Sequence, residues 1–330
     1  MFAKLTTAVT LAAGLAAGAA QADTLRFSSF EPPVAFVTAT VFPQWAENVA
    51  AATNGEVTVQ MFPGGTLGRS PAQQLQMVED GVADIAFLVP GYNPGVFPGL
   101  SVGELPFTVT NAVDGSRAMW QMFEQGLLAG EFDRVKVLGV FTTAPQAVAT
   151  VGSVMMPEDI RGMNLRASSP MLLGAIESMG AVAVGGITAA NLAESISRGV
   201  ISGSFNDWNA MRSFRVAEAV DHVLEVPMGT SPLMVVMNRA RFDALTPEQQ
   251  AAIDSVSGAA FSELFGAAFD GQCAAVRADA VAEGRLTITT PSQEQLDAWR
   301  VASQPSTDAW LAQDPANAVL LDAFRAAMAH

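Results

Sequence analysis

The sequence contains very few of the side chains that usually carry out catalysis or bind metals. Cys273 is the only cysteine, so the chain can form neither an internal disulfide nor a thiolate-based metal site. The two histidines, His222 and His330, leave few carriers for a catalytic triad or for imidazole acid–base chemistry. We interpret Cys273 as a small buried hydrophobic residue and His222 as an ordinary residue at a strand start. No cofactor and no metal site is expected.

Positive charge is also scarce. The 17 Lys and Arg residues face 32 Asp and Glu residues, which gives a net charge of -15 and disfavours nucleic acid as a partner. Beyond the N-terminal segment the only lysine is Lys136, and the glycine-rich phosphate-loop, nucleophile-elbow and dinucleotide patterns are missing. Phosphate-loop, Schiff-base and dinucleotide chemistry are therefore disfavoured. Catalysis by paired carboxylates stays open, because acidic residues are plentiful.

A signal peptide is predicted over residues 1–22. Lys4 supplies a positive charge, an apolar run extends from Leu5 to about Ala17, and Ala20-Gln21-Ala22 fits the small-x-small cleavage rule. The run is too short and too rich in Ala and Gly for a membrane span. We expect a soluble mature chain that begins at Asp23 and works in a bacterial periplasm or its equivalent.

Short apolar runs alternate with helical patterns along the mature chain. This alternation predicts an α/β fold with a largely parallel sheet, and about three hundred residues predict two lobes. The predicted strands are Val57–Phe62, Ala83–Val89, Val135–Phe141, Val200–Phe205 and Leu233–Met237, with helices at Pro71–Asp80 and Trp208–Ala217.

A long helix is predicted after the last of these strands. Thr246-Pro247-Glu248-Gln249 has the form of a capping box, and the next proline is Pro291. A helix of thirty or more residues would be about 45 Å long, which is enough to cross between two lobes.

Arg166 is the strongest candidate for a binding residue. It ends a short strand-like run, and Ala167-Ser168-Ser169-Pro170 follows it as a helix-start signal. A guanidinium fork matches a carboxylate in two places, and the backbone N–H groups at a helix start also favour an anion. The alternative is an arginine in a surface salt bridge.

Polar and aromatic residues follow the other predicted strands. Ligands in open α/β sheets bind beyond the carboxyl ends of the strands, where this sequence places Tyr92, Gln146, Asn206 and Trp208 in addition to Arg166, Ser168 and Ser169. The set contains no obvious pair of nucleophile and base, so we expect binding and no catalytic residue. For each residue the alternative is a structural role: a turn amide, a core aromatic or a capping serine.

The mature chain resembles the substrate-binding proteins of tripartite ATP-independent periplasmic (TRAP) transporters, the DctP-like family. Five segments carry the resemblance in the family's order: Phe62–Gly68, Leu75–Asp84, Glu104–Phe107, Pro157–Arg166 and Gly199–Asn206.

The resemblance implies a two-lobed periplasmic binding protein fold (type II-like) with hinge strands and a long lobe-spanning helix. Lobe I is expected at residues 23–143 plus 232–271, and lobe II at residues 144–231 plus 272–330. Arg166 matches the family's carboxylate-binding arginine, and Asn206 matches the polar residue that faces it. The family delivers small organic acids to a small and a large membrane subunit, and an ion gradient drives the uptake.

The sequence departs from the family pattern at three places. Ser202 stands where an Asp is usual, Asn191 where a Glu is common, and Gln146 near the position of a second arginine in receptors for sugar acids. Together with Tyr92 and Trp208, these departures favour a ligand with one carboxylate and an apolar or aromatic body. A binding protein of an ATP-driven importer and a periplasmic carboxylate-processing enzyme are the alternatives.

Overall fold

The computed structural model describes residues 22–329. The predicted signal peptide therefore lies outside the described residues, apart from Ala22. The strands are β1 (Asp23–Ser28), β2 (Val57–Phe62), β3 (Ile85–Leu88), β4 (Val135–Thr142), β5 (Ala147–Thr150), β6 (Asn164–Arg166), β7 (Val182–Ala183), β8 (Gly203–Asn206), β9 (His222–Leu224), β10 (Pro232–Asn238) and β11 (Thr287–Thr289).

The helices follow the same order. They are α1 (Phe42–Ala52), α2 (Gln74–Glu79), α3 (Ala112–Glu124), α4 (Pro170–Ser178), α5 (Leu192–Ser197), α6 (Trp208–Ser213), α7 (Val216–Ala219), α8 (Arg239–Asp243), α9 (Pro247–Ser255), α10 (Ala259–Glu283), α11 (Gln293–Gln313) and α12 (Ala316–Met328). Short 3₁₀ turns include Pro71–Gln73, Pro90–Tyr92 and Pro98–Glu104, and a π turn at Val37–Val41 leads into α1. None of the helices in residues 22–329 combines the length and the apolar composition that crossing a bilayer requires.

The strands form two sheets, one in each lobe. The first has the order β2-β1-β3-β10-β4 and the second β11-β9-β5-β8-β6-β7. The sheets are largely parallel, as predicted, and each contains one reversed strand: β10 runs antiparallel to β3 and β4, and β5 runs antiparallel to β8 and β9. Strands that are apolar on both faces show in the sequence that they are buried, but the pattern does not give their direction.

The antiparallel pairs arise where the chain crosses between the lobes. Residues 143–146 join β4 to β5, and residues 225–231 return the chain from β9 to β10. These two connectors lie side by side in opposite directions, because the N–H of Gln146 donates to the carbonyl of Gly229 and the N–H of Met228 donates to that of Gln146, both at 2.9 Å. They correspond to the expected hinge strands.

The long helix is shorter than predicted. The capping box at Thr246 is present, but it begins α9, which ends at Ser255, and α10 is a separate helix of 25 residues. The break lies at Gly258, which has φ 62° and ψ −126° and donates its N–H to the carbonyl of Leu138 at 2.7 Å. Only glycine adopts this conformation readily. The break was missed in the sequence because no proline marks it.

Helix α10 still contacts both lobes. Phe261, Phe265 and Phe269 follow one another at a spacing of four residues, so they lie on one face, and all three are buried beside the first sheet. The ring of Phe265 stacks on that of Phe141 with centroids 4.2 Å apart. Farther along, α10 packs against α6 of the second lobe. The expected lobe-spanning helix is therefore present.

The C-terminal helices also run between the lobes. In α11, Trp299 packs in a cluster with Leu165 and Phe205 of the second sheet, whereas Trp310 packs with Leu88 of the first. Helix α12 then packs against α3. We expected residues 272–330 in lobe II, but the structure places the last part of this segment on the first-sheet side. The helical spacing of apolar residues shows which face of such a helix is buried, but it does not show which lobe covers that face.

Candidate functional site

A cavity lies between the two sheets, close to the paired connectors. The space in it that is open to the centres of water molecules is about 60 Å³, enough for a few waters or one small organic molecule. Its walls come from both lobes and include Phe30, Glu31, Tyr92, Gln146, Arg166, Ser168, Asn206, Asp207, Phe214 and Ser231. We call this space the cleft cavity. Arg166, Asn206, Gln146, Tyr92 and Ser168 of the predicted set therefore meet in one place.

Arg166 supplies a buried positive charge to the cleft cavity. It ends β6 and is only 2% exposed. Its Nε donates to the carbonyl of Ile187 at 2.9 Å, and its Nη2 donates to the hydroxyl of Tyr92 at 2.9 Å. No carboxylate oxygen of the described residues lies within 4.0 Å of its nitrogens. The alternative of a surface salt bridge is therefore wrong, and the guanidinium has unused capacity for an anion.

Tyr92 joins the two lobes across the cleft cavity. It lies in the 3₁₀ turn that follows β3 of the first sheet, as the position after a predicted strand indicated. Its hydroxyl oxygen accepts hydrogen bonds from Arg166 and from the backbone N–H of Ala189, the latter at 3.2 Å, and both donors belong to the second lobe. The hydroxyl hydrogen has no acceptor among the described residues and is free to bind a further group.

Gln146 and two serines form a hydrogen-bonded row on another wall. Nε2 of Gln146 donates to Oγ of Ser231 at 2.8 Å, and Oγ of Ser231 lies 2.8 Å from Oγ of Ser168. The Oε1 atom of Gln146 is buried and has no partner among the described residues. Ser231 was missed in the sequence, because it lies before an apolar strand and not after one.

Asn206 ends β8 and is 5% exposed. Its Oδ1 accepts a hydrogen bond from Oγ of Ser204. The side-chain nitrogen of Asn206 donates to no other described side chain or backbone group, so its hydrogens can bind a ligand oxygen in the cleft cavity.

Two predicted residues lie outside the walls of the cleft cavity. Trp208 is 8% exposed, packs among hydrophobic residues and donates its Nε1–H to Oε1 of Glu225 at 3.0 Å. Ser169 accepts a hydrogen bond from the N–H of Leu172 as the N-cap of α4 and donates to Oε2 of Glu104 at 2.7 Å. Trp208 is therefore a core aromatic and Ser169 a capping serine, which are the structural alternatives given for them above.

Two buried acids were missed in the sequence. Glu31 follows β1, and Asp207 follows Asn206 as the N-cap of α6, where its Oδ1 accepts from the N–H of Ala210 at 2.8 Å. Burial raises the pKa of Glu31 to about 7 and that of Asp207 to about 6, because a buried carboxylate loses its hydration. For Asp207, an acidic residue directly after β8 would have been the signal.

The rest of the cleft cavity is apolar and aromatic. The rings of Phe30 and Phe87 stack with centroids 5.5 Å apart, and Val37, Phe214 and Phe269 complete this part of the wall. Such a surface favours a hydrocarbon body over a densely hydroxylated one.

A larger groove lies between residues 90–104, α4 and α11. The space open to water centres is about 340 Å³, but its walls contain no cationic side chain, and its one acidic group is Glu104. The cleft cavity is therefore the better candidate for an organic acid.

Comparison with known proteins agrees with the geometry. The family model for bacterial extracellular solute-binding proteins of family 7, DctP, matches residues 27–314. The chain belongs to this family. The resemblance noted in the sequence is thereby confirmed, and the family is one of solute-binding proteins.

Three proteins that are similar to this chain are described below. A marine metagenome TRAP solute-binding protein specific for aromatic acid ligands, in complex with 3-hydroxybenzoate, is 30% identical with a TM-score of 0.88, over 94% of this chain and 99% of that one. A TRAP solute-binding protein of Rhodoferax ferrireducens with copurified benzoate is 28% identical with a TM-score of 0.87, over 93% and 97% of the two chains. The outer membrane transporter protein TsaT of Comamonas testosteroni is 28% identical over 98% of this chain and 97% of its own length.

Proposed function

We propose that the protein is a periplasmic receptor for a small organic monocarboxylate with an apolar or aromatic body. The observation that carries the proposal is the buried guanidinium of Arg166, which has no acidic partner among the described residues and faces a cavity between two lobes. A buried charge without a counter-charge is costly, so a carboxylate ligand would be stabilised there by both charge and geometry.

The walls of the cleft cavity support an aromatic or other apolar body. Phenylalanine rings bound one side of it, and the amides of Gln146 and Asn206 with Ser168 provide a limited number of polar contacts. Two of the similar structures hold benzoate or a hydroxylated benzoate. Because residues of both lobes form the walls, ligand binding would favour the closed arrangement.

We further propose that the receptor delivers its ligand to the small and large membrane subunits of a TRAP transporter. Membership of the DctP family supports ion-gradient-driven uptake over an ATP-driven importer. Genes for these two membrane subunits beside the receptor gene would agree with the proposal, whereas a neighbouring gene for a transport ATPase would contradict it.

Substitution of Arg166 tests carboxylate binding. We expect Arg166→Ala to weaken the binding of benzoate or 3-hydroxybenzoate by about 2–5 kcal/mol, roughly thirtyfold to several thousandfold. Arg166→Lys should also bind weakly, because an ammonium lacks the planar fork. The unliganded variants should remain folded, since the arginine forms no ion pair with the described residues. Isothermal titration calorimetry measures the affinity, and thermal unfolding checks the fold.

Arg239→Ala is a matched control for this experiment. Arg239 also donates to a backbone carbonyl, that of Val135 at 2.7 Å, but it lies outside the cleft cavity. Its removal changes the net charge equally and should leave acid binding unchanged. Wild-type affinity in a folded Arg166→Ala variant would remove Arg166 from the site and the carboxylate from the proposal.

A further inference from the structure

The cleft cavity is lined by a buried arginine and a buried glutamate that do not pair with each other. Arg166 of the second lobe is 2% exposed, and Glu31 of the first lobe is 5% exposed. Among the described residues no ion pair joins them, with a limit of 4.0 Å between nitrogen and oxygen. Each of the two side chains is instead bound by other groups.

Glu31 is held by its own lobe, whereas Arg166 is held by its own lobe and by Tyr92 of the first lobe. Oε2 of Glu31 accepts a hydrogen bond from Oγ1 of Thr38 at 3.0 Å, and Thr38 lies in the π turn before α1. Arg166 is held through Nε by the carbonyl of Ile187. The wall of the cleft cavity thus offers one group that can bind an anion, Arg166, and one that can accept a hydrogen bond, Glu31.

Glu31 has an unused acceptor atom in this space. The hydrogen bond from Thr38 goes to Oε2, so Oε1 accepts none from the described residues, and Glu31 is part of the cavity wall. Asp207 differs, because its role as the N-cap of α6 accounts for its burial. No such structural role accounts for Glu31, which caps no helix and pairs with no cation of the described residues. An acceptor atom that lines a cavity and has no protein partner is available to a hydrogen-bond donor of a ligand.

We infer that the ligand carries a second polar group, a hydroxyl or amino hydrogen-bond donor, which binds Oε1 of Glu31 while its carboxylate binds Arg166. This inference rests on the proposed function and narrows it to hydroxylated or amino-substituted acids. Such a ligand spans the two lobes, because Glu31 belongs to one and Arg166 to the other. An acid without the donor leaves Oε1 of Glu31 without a hydrogen-bond partner in the closed cleft.

Titration calorimetry with matched acids tests the inference. The probes are benzoate, its three monohydroxy isomers and its three monoamino isomers. At pH 8.5, where the carboxyl of Glu31 is ionised, the wild-type protein should bind the best substituted acid about 10- to 150-fold more tightly than benzoate, because a hydrogen bond to a charged acceptor contributes this much to affinity. Comparison of the hydroxy and amino isomers shows which donor the site prefers.

Variants of Glu31 identify the residue that causes the preference. Glu31→Leu removes the acceptor and should abolish the preference. Glu31→Gln keeps a neutral acceptor and should reduce the preference about fivefold or more, so it keeps the test valid if Glu31→Leu fails to fold. Glu104→Gln is the control, because Glu104 is equally buried and also hydrogen-bonded by a hydroxyl, but lies outside the cleft cavity. It should keep the wild-type preference.

The outcomes separate this inference from the proposed function. Equal binding of benzoate and all substituted acids by the wild-type protein would overturn the role of Glu31 and leave the carboxylate receptor intact. An unchanged preference in the folded Glu31 variants would do the same. If none of the acids binds the wild-type protein, the proposed function fails and this inference fails with it.

Discussion

Replacement of Glu104 by Gln should stabilise the protein in a strongly pH-dependent way. Glu104 belongs to the first lobe, is 5% exposed and accepts a hydrogen bond from Ser169 of the second lobe. Burial raises the pKa of its carboxyl to about 8, although the hydrogen bond from Ser169 opposes this shift. The folded protein therefore favours the protonated acid, whereas the unfolded chain has an ordinary acid with a pKa near 4.5.

The direction and size of the effect follow from these two pKa values. Below about pH 4.5 both states are protonated, and the ionisation of Glu104 costs no stability. As the pH rises toward 8, the folded state must hold a proton that the unfolded state has released, so stability falls. With 1.36 kcal/mol per pKa unit, the loss between pH 5 and pH 8.5 is roughly 3–4 kcal/mol.

Gln keeps the size of the side chain and an acceptor for Ser169 but does not ionise. The difference in unfolding free energy between Glu104→Gln and the wild type should therefore grow by on the order of 3 kcal/mol from pH 5 to pH 8.5. Urea unfolding of both proteins across this range measures the difference. Glu263→Gln, at an exposed position of α10, is the control and should show no comparable trend. A difference for Glu104→Gln that does not depend on pH would refute the reasoning.

Two further substitutions test packing. Trp208→Phe should lower the free energy of unfolding by about 1 kcal/mol, because it removes the hydrogen bond to Glu225. It should change acid affinity less than about twofold; thermal unfolding and calorimetry measure the two effects. A large loss of affinity would show that Trp208 contacts the ligand. Gly258→Ala should destabilise the protein by roughly 1–3 kcal/mol, because Gly258 has a positive φ and an added Cβ would lie 2.6 Å from Cζ2 of Trp120. Gly271→Ala is the control: it lies inside α10, its added Cβ would have no atom within 4 Å, and it should be neutral or stabilise the protein by about 0.5–1 kcal/mol. Equal melting temperatures for the two variants would contradict this prediction.

Sequence reasoning identified Arg166 of the candidate site but not Glu31. Arg166 could be found because it ends a short strand and a Ser-Pro helix start follows it, so it lies at the carboxyl end of that strand. Glu31 follows β1, whose sequence Asp-Thr-Leu-Arg-Phe-Ser contains only two apolar residues and lies directly after the predicted signal peptide. Without β1, nothing in the pattern marked Glu31 as a residue at a strand end.

Position after a strand does not determine the direction of a side chain. Trp208 follows β8 as closely as Asn206 does, but it is the first residue of α6, and the helix turns its indole toward Glu225. Asp207, between them, caps the helix from the cavity side. Which of three neighbouring residues faces the cavity depends on helix geometry that a strand pattern does not contain.

Tyr92 makes the closed arrangement observable with a single label. It is the only tyrosine of the chain, and its hydroxyl binds donors of the opposite lobe. Fluorotyrosine incorporated at every tyrosine codon would therefore mark one position, and the 19 phenylalanines would remain unlabelled. The fluorine resonance of that one ring would report the populations of open and closed molecules during a titration. No position of the sequence would have to be mutated.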